Sequence, residues 1–268
     1  MRVLMGVLNV TPDSFSDGGQ FLDPGPAIEQ ARELVAGGAD LLDIGGESTR
    51  PGSEGVTAEE ELRRVGPVLE GLAGEDVRIS IDTSKRAVAE VAIDAGAEIV
   101  NDVSALRSDP ELAALCAERG CGVVLMHMLG TPRTMQERPS YEDVVEDVKA
   151  FLAERIELAL ASGIAEDRIW VDPGIGFGKA VEHNLELLRR LGELRALGRP
   201  ICIGTSRKSF IGKLTGRDVD ERLGGTIASN VLARANGAEV FRVHDVREVR
   251  EALEVADVIL GRRNRAQA

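Results

Sequence analysis

The chain has 268 residues, 43% of them apolar, and a formal net charge of −13. That acidity argues against a nucleic-acid partner or an anionic membrane, and the apolar content argues against disorder. Three cysteines, Cys116, Cys121 and Cys202, without CxxC spacing, argue against a disulfide framework or structural zinc and suit a reducing cytosol. No apolar run approaches the ~20 residues of a membrane helix. The N-terminus passes directly into a strand-like run, without a cleavable signal pattern. These features predict one cytoplasmic domain over residues 1–268.

Apolar runs predict strands over 3–8, 39–44, 77–82, 97–101, 121–126, 168–172, 200–204 and 239–243. Short, continuously apolar runs suit strands buried on both faces of a parallel sheet. Helical periodicity lies between them, as in 26–38, 86–96, 141–163 and 221–237. Glycines at 38, 96, 120 and 237 each stand between a helix and a strand, where a left-handed residue ends the helix. Eight such units predict a (β/α)8 TIM barrel, an α/β fold with its active site at the C-terminal ends of the strands. The competing architecture is an open doubly wound sheet, but no GxGxxG follows the first strand.

Hydrogen-bonding residues stand at all eight predicted strand ends. They are Asn9, Asp43, Asp82, Asn101 with Asp102, His127, Asp172, the segment GTSRKS and the segment RVHD. Alternation along the last strand sends Arg242 and His244 the same way, as an anion site would require. Alone, Arg242 is equally well read as a partner for an acidic neighbour. Asp82 and Asp172 need partners, because an unpaired charge in a barrel mouth is costly. Adjacent N–H donors of a guanidine-like ring edge would serve, and so would an internal Lys or Arg. Only five lysines occur, and two of them, Lys85 and Lys208, lie in strand-end motifs. Asn9 is a neutral oxygen donor that suits Mg²⁺ or a backbone contact. The loops TPDSFSDGG and ESTRPGSEG have the composition of lids, with Phe15 available to stack. Met126 and Phe177 suit the wall of a flat heterocycle or plain core. His127 and His183 read as structural. GIGFGK resembles a phosphate-cradling loop without P-loop spacing. SRKS also suits a solvated helix start with Ser as N-cap.

Taken together, MGVLNVTPDSFSDGG, ADLLDIGGESTRPG, SIDTSK, NDVSAL, LMHMLGTPRTMQ, DPGIGFGK, GTSRKSFIG and RVHDV span residues 5–246. In that order they resemble the signature blocks of the dihydropteroate synthase family. The resemblance implies condensation of 6-hydroxymethyl-7,8-dihydropterin diphosphate with p-aminobenzoate, the step of folate synthesis that sulfonamides block. It implies catalytic roles for Asp82, Asp172, Lys208 and Arg242. It implies a pterin site of Asp82, Asn101, Met126, Asp172, Phe177, Lys208 and Arg242. The p-aminobenzoate site would use Phe15, Thr49, Arg50, Pro51 and Ser206, alongside Lys208. Asn9, Arg242 and His244 would meet the diphosphate, with Asn9 at a Mg²⁺ ion. The family pattern also implies a homodimer. The neighbouring expectation is a methyltetrahydrofolate-dependent methyltransferase barrel, which needs no diphosphate site. A non-catalytic pterin-binding protein is a third expectation.

Overall fold

Eight parallel strands form one sheet in the order β6-β5-β4-β3-β2-β1-β8-β7. They are β1 Val3–Asn9, β2 Leu41–Gly45, β3 Ile79–Asp82, β4 Ile99–Asp102, β5 Gly122–Met126, β6 Ile169–Asp172, β7 Cys202–Ile203 and β8 Val240–Val243. A parallel bridge from Val171 to Ile201 joins β6 to the β7 side and closes the (β/α)8 barrel. The computed structural model describes residues 2–11, 23–50 and 52–262.

Each strand lies within or next to its predicted run. The largest difference is β7, where a run predicted over 200–204 keeps only two ladder residues. Pro200 has no N–H to give to a ladder, although its carbonyl still accepts from Val171 N at 3.0 Å.

The helices are α1 Gly25–Ala36, α2 Ala58–Gly71, α3 Arg86–Asp94, α4 Leu112–Arg119, α5 Val144–Ala161, α6 Val181–Arg189, α7 Ser209–Thr215, α8 Leu223–Ala235 and α9 Val246–Ile259. Local signals set several of their ends. Thr57 caps α2 through Glu60 N, and Asp143 caps α5 through Val145 N and Glu146 N. Gly38, Gly96, Gly120 and Gly237 all have positive φ, as their places between helix and strand require.

The core has two layers. One large cluster packs the outer faces of the strands against the helices. A smaller one contains Val3, Met5, Leu41, Ile99, Val124, Trp170, Cys202 and Val240. Side chains alternate along a strand, so this second set marks the barrel interior. Asp43, Asp82, Asn101, Met126, Asp172 and Arg242 share its parity or its register. They therefore stand above the apolar plug, at the end where TIM-barrel loops gather.

Candidate active site

The strand registers line up the upper rim. Asn9 pairs with Gly45, Gly45 with Asp82, and Asp82 with Asn101; Met126 pairs with Asp172. One hydrogen-bond network then joins β8, β2, β3 and β4. Arg242 donates Nε to Asp43 Oδ2 at 2.6 Å and Nη2 to Asp82 Oδ2 at 2.7 Å. Asn101 Nδ2 donates to the same Asp43 oxygen at 3.0 Å. Asp43 is fully buried, and its Oδ1 has no partner among the described residues.

Asp43 belongs to the same network, although as a strand-end acid the sequence assigns it no role. Its signal was an acid on an inward parity within an otherwise apolar strand. The internal-pairing reading of Arg242 also holds in this structure, since two carboxylates neutralise it.

These groups titrate far from their usual ranges. Burial, reinforced by Asp43, Glu61 and Asp102 and opposed by Arg242, pushes Asp82 up to about 7. Burial likewise raises Asp172, against a hydrogen bond from Gly174 N to its Oδ1 at 2.7 Å. Lys208 falls to about 8 through burial and the charge of Arg242. Arg242 stays firmly charged, because Asp43 and Asp82 outweigh its burial. Displaced titratable groups gathered in one cleft are the usual mark of a functional site.

Lys208 Nζ lies 4.1 Å from the centroid of the Phe177 ring, a cation–π contact. Phe177 packs against the cluster of Met126, Met128 and Met135, which gives the mouth one apolar wall. Lys208 itself is the residue before α7, and no serine side chain caps that helix. Ser206 turns instead to β8, accepting from His244 N at 3.2 Å and lying 3.0 Å from His244 Nδ1. Burial and the nearby Arg242 and Arg207 lower His244 to about 3, so it is a neutral imidazole. Arg207, between them, holds φ at 58° and is pinned by a bidentate pair with Asp245. Such backbone strain is characteristic of functional sites.

The glycines of DPGIGFGK serve packing. Gly174 has φ of 69°, and a Cβ there would sit 1.9 Å from the carbonyl oxygen of His127. Lys179, which ends that segment, is buried. It lies 2.9 Å from His127 Nδ1 and donates to Phe177 O at 3.0 Å. Burial brings this lysine down to about 7, and burial with Lys179 and Arg107 takes His127 to about 3. His127 is thus a buried, neutral imidazole. His183 packs edge-on against Tyr141.

Thr49 is half-buried and Arg50 exposed, and the Arg50 guanidinium has no partner among the described residues. Phe15 and Pro51 lie outside the described residues. So does most of the TPDSFSDGG loop. Among the described residues no helix is long and apolar enough to cross a membrane.

Comparison with known proteins identifies the family. The family model for pterin binding enzymes matches residues 5–244. A dihydropteroate synthase of Synechocystis sp. is 46% identical over 96% of this chain and 89% of that protein. The Yersinia pestis dihydropteroate synthase in a sulfonamide drug complex superposes with a TM-score of 0.92 at 44% identity, covering 97% of this chain and 94% of that one. The Xanthomonas albilineans enzyme in complex with 7,8-dihydropteroate gives 0.87 at 44% identity, covering 96% and 93%. With similarity of this level over nearly the whole chain, the chain belongs to the pterin binding enzyme family, among its dihydropteroate synthases.

Proposed function

We propose that the barrel mouth condenses 6-hydroxymethyl-7,8-dihydropterin diphosphate with p-aminobenzoate through the following division of labour. The observation that carries it is the inward-facing set of Asp82, Asn101 and Asp172 beside the Lys208–Phe177 pair. Asp172 keeps Oδ2 for the N–H donors of the pterin edge, because Oδ1 is spent on Gly174 N. Asn101 spends its Nδ2 on Asp43, which leaves its amide oxygen as an acceptor. Lys208 donates to the ring carbonyl and N5 side, and Met126 and Phe177 line the ring face. Arg242 moves from its carboxylates toward the diphosphate when substrate binds.

In the reaction the C–O bond to diphosphate breaks, and its electron pair leaves with the diphosphate. The ring nitrogen lone pairs stabilise the methylene cation, and the arylamine nitrogen then forms the C–N bond and gives up its proton to the released diphosphate. No enzyme nucleophile is needed, so positioning and electrostatics supply the catalysis. Buried carboxylates favour the positive ring. Arg242 and the neutral His244 N–H favour the departing diphosphate. Thr49, Arg50 and Pro51, with Phe15, Ser206 and Lys208, form the arylamine side and exclude water.

Magnesium belongs to the same reading. Asn9 ends β1 half-buried, and its amide makes no hydrogen bond among the described residues. Those residues contain no group of three acidic, His or Cys side chains suited to a metal. A hard cation that keeps its waters and shares diphosphate oxygens fits one such neutral donor. Asn9 would hold it, and the bound ion would offset negative charge on the leaving group.

A homodimer and a cytoplasmic location complete the proposal. Leu232 on α8 and Val255, Val258 and Ile259 on α9 are 61–79% exposed on adjacent helices, an apolar face that suits a second copy. The three cysteines are free and buried, as a reducing compartment allows.

The deciding experiment measures diphosphate release from the pterin diphosphate with and without p-aminobenzoate and Mg²⁺. Release that requires both, with dihydropteroate formed in equal amount, supports the assignment. Binding without release under any condition would overturn it.

A further inference from the structure

Lys85 is one of the two strand-end lysines, and the pterin site does not use it. It follows Asp82 by three residues and stands immediately before α3. Its Nζ donates to Glu47 Oε2 at 2.7 Å and also to Glu61 Oε2. The two acids differ in kind. Glu61 is on α2 and fully buried, and its Oε1 has no partner among the described residues. Removing the ammonium would strand that charge. Glu47 is on the β2–α2 loop and is 19% exposed. It can leave Lys85 while the Lys85–Glu61 pair persists. Burial works against the ammonium, but the two carboxylates outweigh it, and Lys85 is more basic than a free lysine.

Glu47 also fixes the loop that follows it. Its Oε1 accepts from Val56 N at 3.0 Å, just before the cap of α2. Between these anchors lie Thr49 and Arg50. The loop reaches across to the β5 loop, where Gly52 N donates to Pro132 O at 3.1 Å. A half-open cleft of about 460 Å³ adjoins this loop, with Glu47, Thr49, Ser84, Val103, Met128 and Pro132 among its walls.

We propose that Lys85 is a positioning residue that docks the β2–α2 loop, through Glu47, at a set distance from the strand carrying Asp82. Glu61 holds the ammonium permanently, and Glu47 makes and breaks the contact. The proposal rests on the assignment of Thr49 and Arg50 to the arylamine side. Lys85 thereby couples the two substrate subsites without touching either substrate.

The test uses Glu47→Ala, the double variant Lys85→Met/Glu61→Gln, and the triple combination. The double variant removes the part-buried ammonium together with the buried Glu61 charge it neutralises, so no charge is stranded and the fold is preserved. Each should raise KM for p-aminobenzoate about tenfold, equivalent to about 1.4 kcal/mol. The pterin diphosphate Kd, read by calorimetry, should stay within about twofold. The triple variant should be no worse than either parent, because both ends of one contact have been removed. Lys85→Arg should restore the arylamine KM. Equal losses for both substrates, or an unchanged arylamine KM, would overturn the docking role. If the unaltered enzyme formed no dihydropteroate, the function itself would fall instead.

Discussion

Arg242 on β8 donates to Asp82 on β3 at 2.7 Å, reaching past β1 and β2 to do so. The contact places the strongest base of the mouth against a carboxylate that burial has already made reluctant to ionise. In the absence of substrate the two charges satisfy each other, and Asp43 completes the pairing.

Arg242→Ala should therefore cost both stability and affinity. It leaves Asp43 and Asp82 buried without a counter-charge, a loss of about 3 kcal/mol for a broken buried pair. The melting temperature should fall by several degrees, and pterin diphosphate affinity by more than about tenfold. Thermal denaturation and calorimetry check the two effects. An unaltered Kd would remove Arg242 from the substrate site.

The pH dependence has a defined sign. Asp82, raised to about 7, becomes a carboxylate only as pH climbs through that value. Lys208, lowered to about 8, loses its proton above it. The kcat/KM for pterin diphosphate should rise through about 7 and decline above about 8, reporting these groups in the free enzyme. Lys208→Arg should move the upper limb out of range. A profile flat from pH 6 to 9 would contradict both assignments.

Asp172→Asn should leave the fold intact, because an amide oxygen can still accept from Gly174 N. It should weaken pterin binding by a factor of about ten to a hundred, the range of a hydrogen bond to a charged group. The arylamine KM should change less than about threefold. A larger effect on the arylamine would invert the assignment of the two subsites.

Ser206 Oγ accepts from His244 N, so its own proton is free for His244 Nδ1. That arrangement leaves the second ring N–H to point at the diphosphate. Ser206→Ala should reduce the affinity of the pterin diphosphate about tenfold, the scale of one lost charge-assisted contact. It should leave the affinity of the unphosphorylated hydroxymethyl pterin unchanged. Parallel titrations with the two ligands make the comparison, and equal losses would separate His244 from the diphosphate.

Asn9→Ala should raise the Mg²⁺ concentration for half-maximal activity without altering binding of the unphosphorylated pterin. A metal titration of the variant decides it. Unchanged Mg²⁺ dependence would take Asn9 out of the metal's surroundings.

Much of this molecule is local and was legible in the chain. Eight apolar runs with polar residues at their ends require a sheet buried on both faces with chemistry at one rim. The glycines at 38, 96, 120 and 237 mark helix ends because only a left-handed residue turns the chain there. Strand parity already paired Arg242 with His244. Other features depend on which strands become neighbours. Asp43 shares its oxygen with Arg242, 199 residues away, and with Asn101, a meeting that no spacing encodes. The contact of Lys179, the last residue of DPGIGFGK, with His127 and the Lys85–Glu47–Glu61 triad have the same character. Protonation was illegible for a related reason. His244 is neutral and Asp82 titrates near 7 because the closed barrel removes water and crowds like charges together. Periodicity and turn chemistry act between near neighbours, so the sequence alone determined the barrel and its polar rim. Desolvation and charge pairing act through space, so only the tertiary structure decided the partner and protonation state of each rim residue.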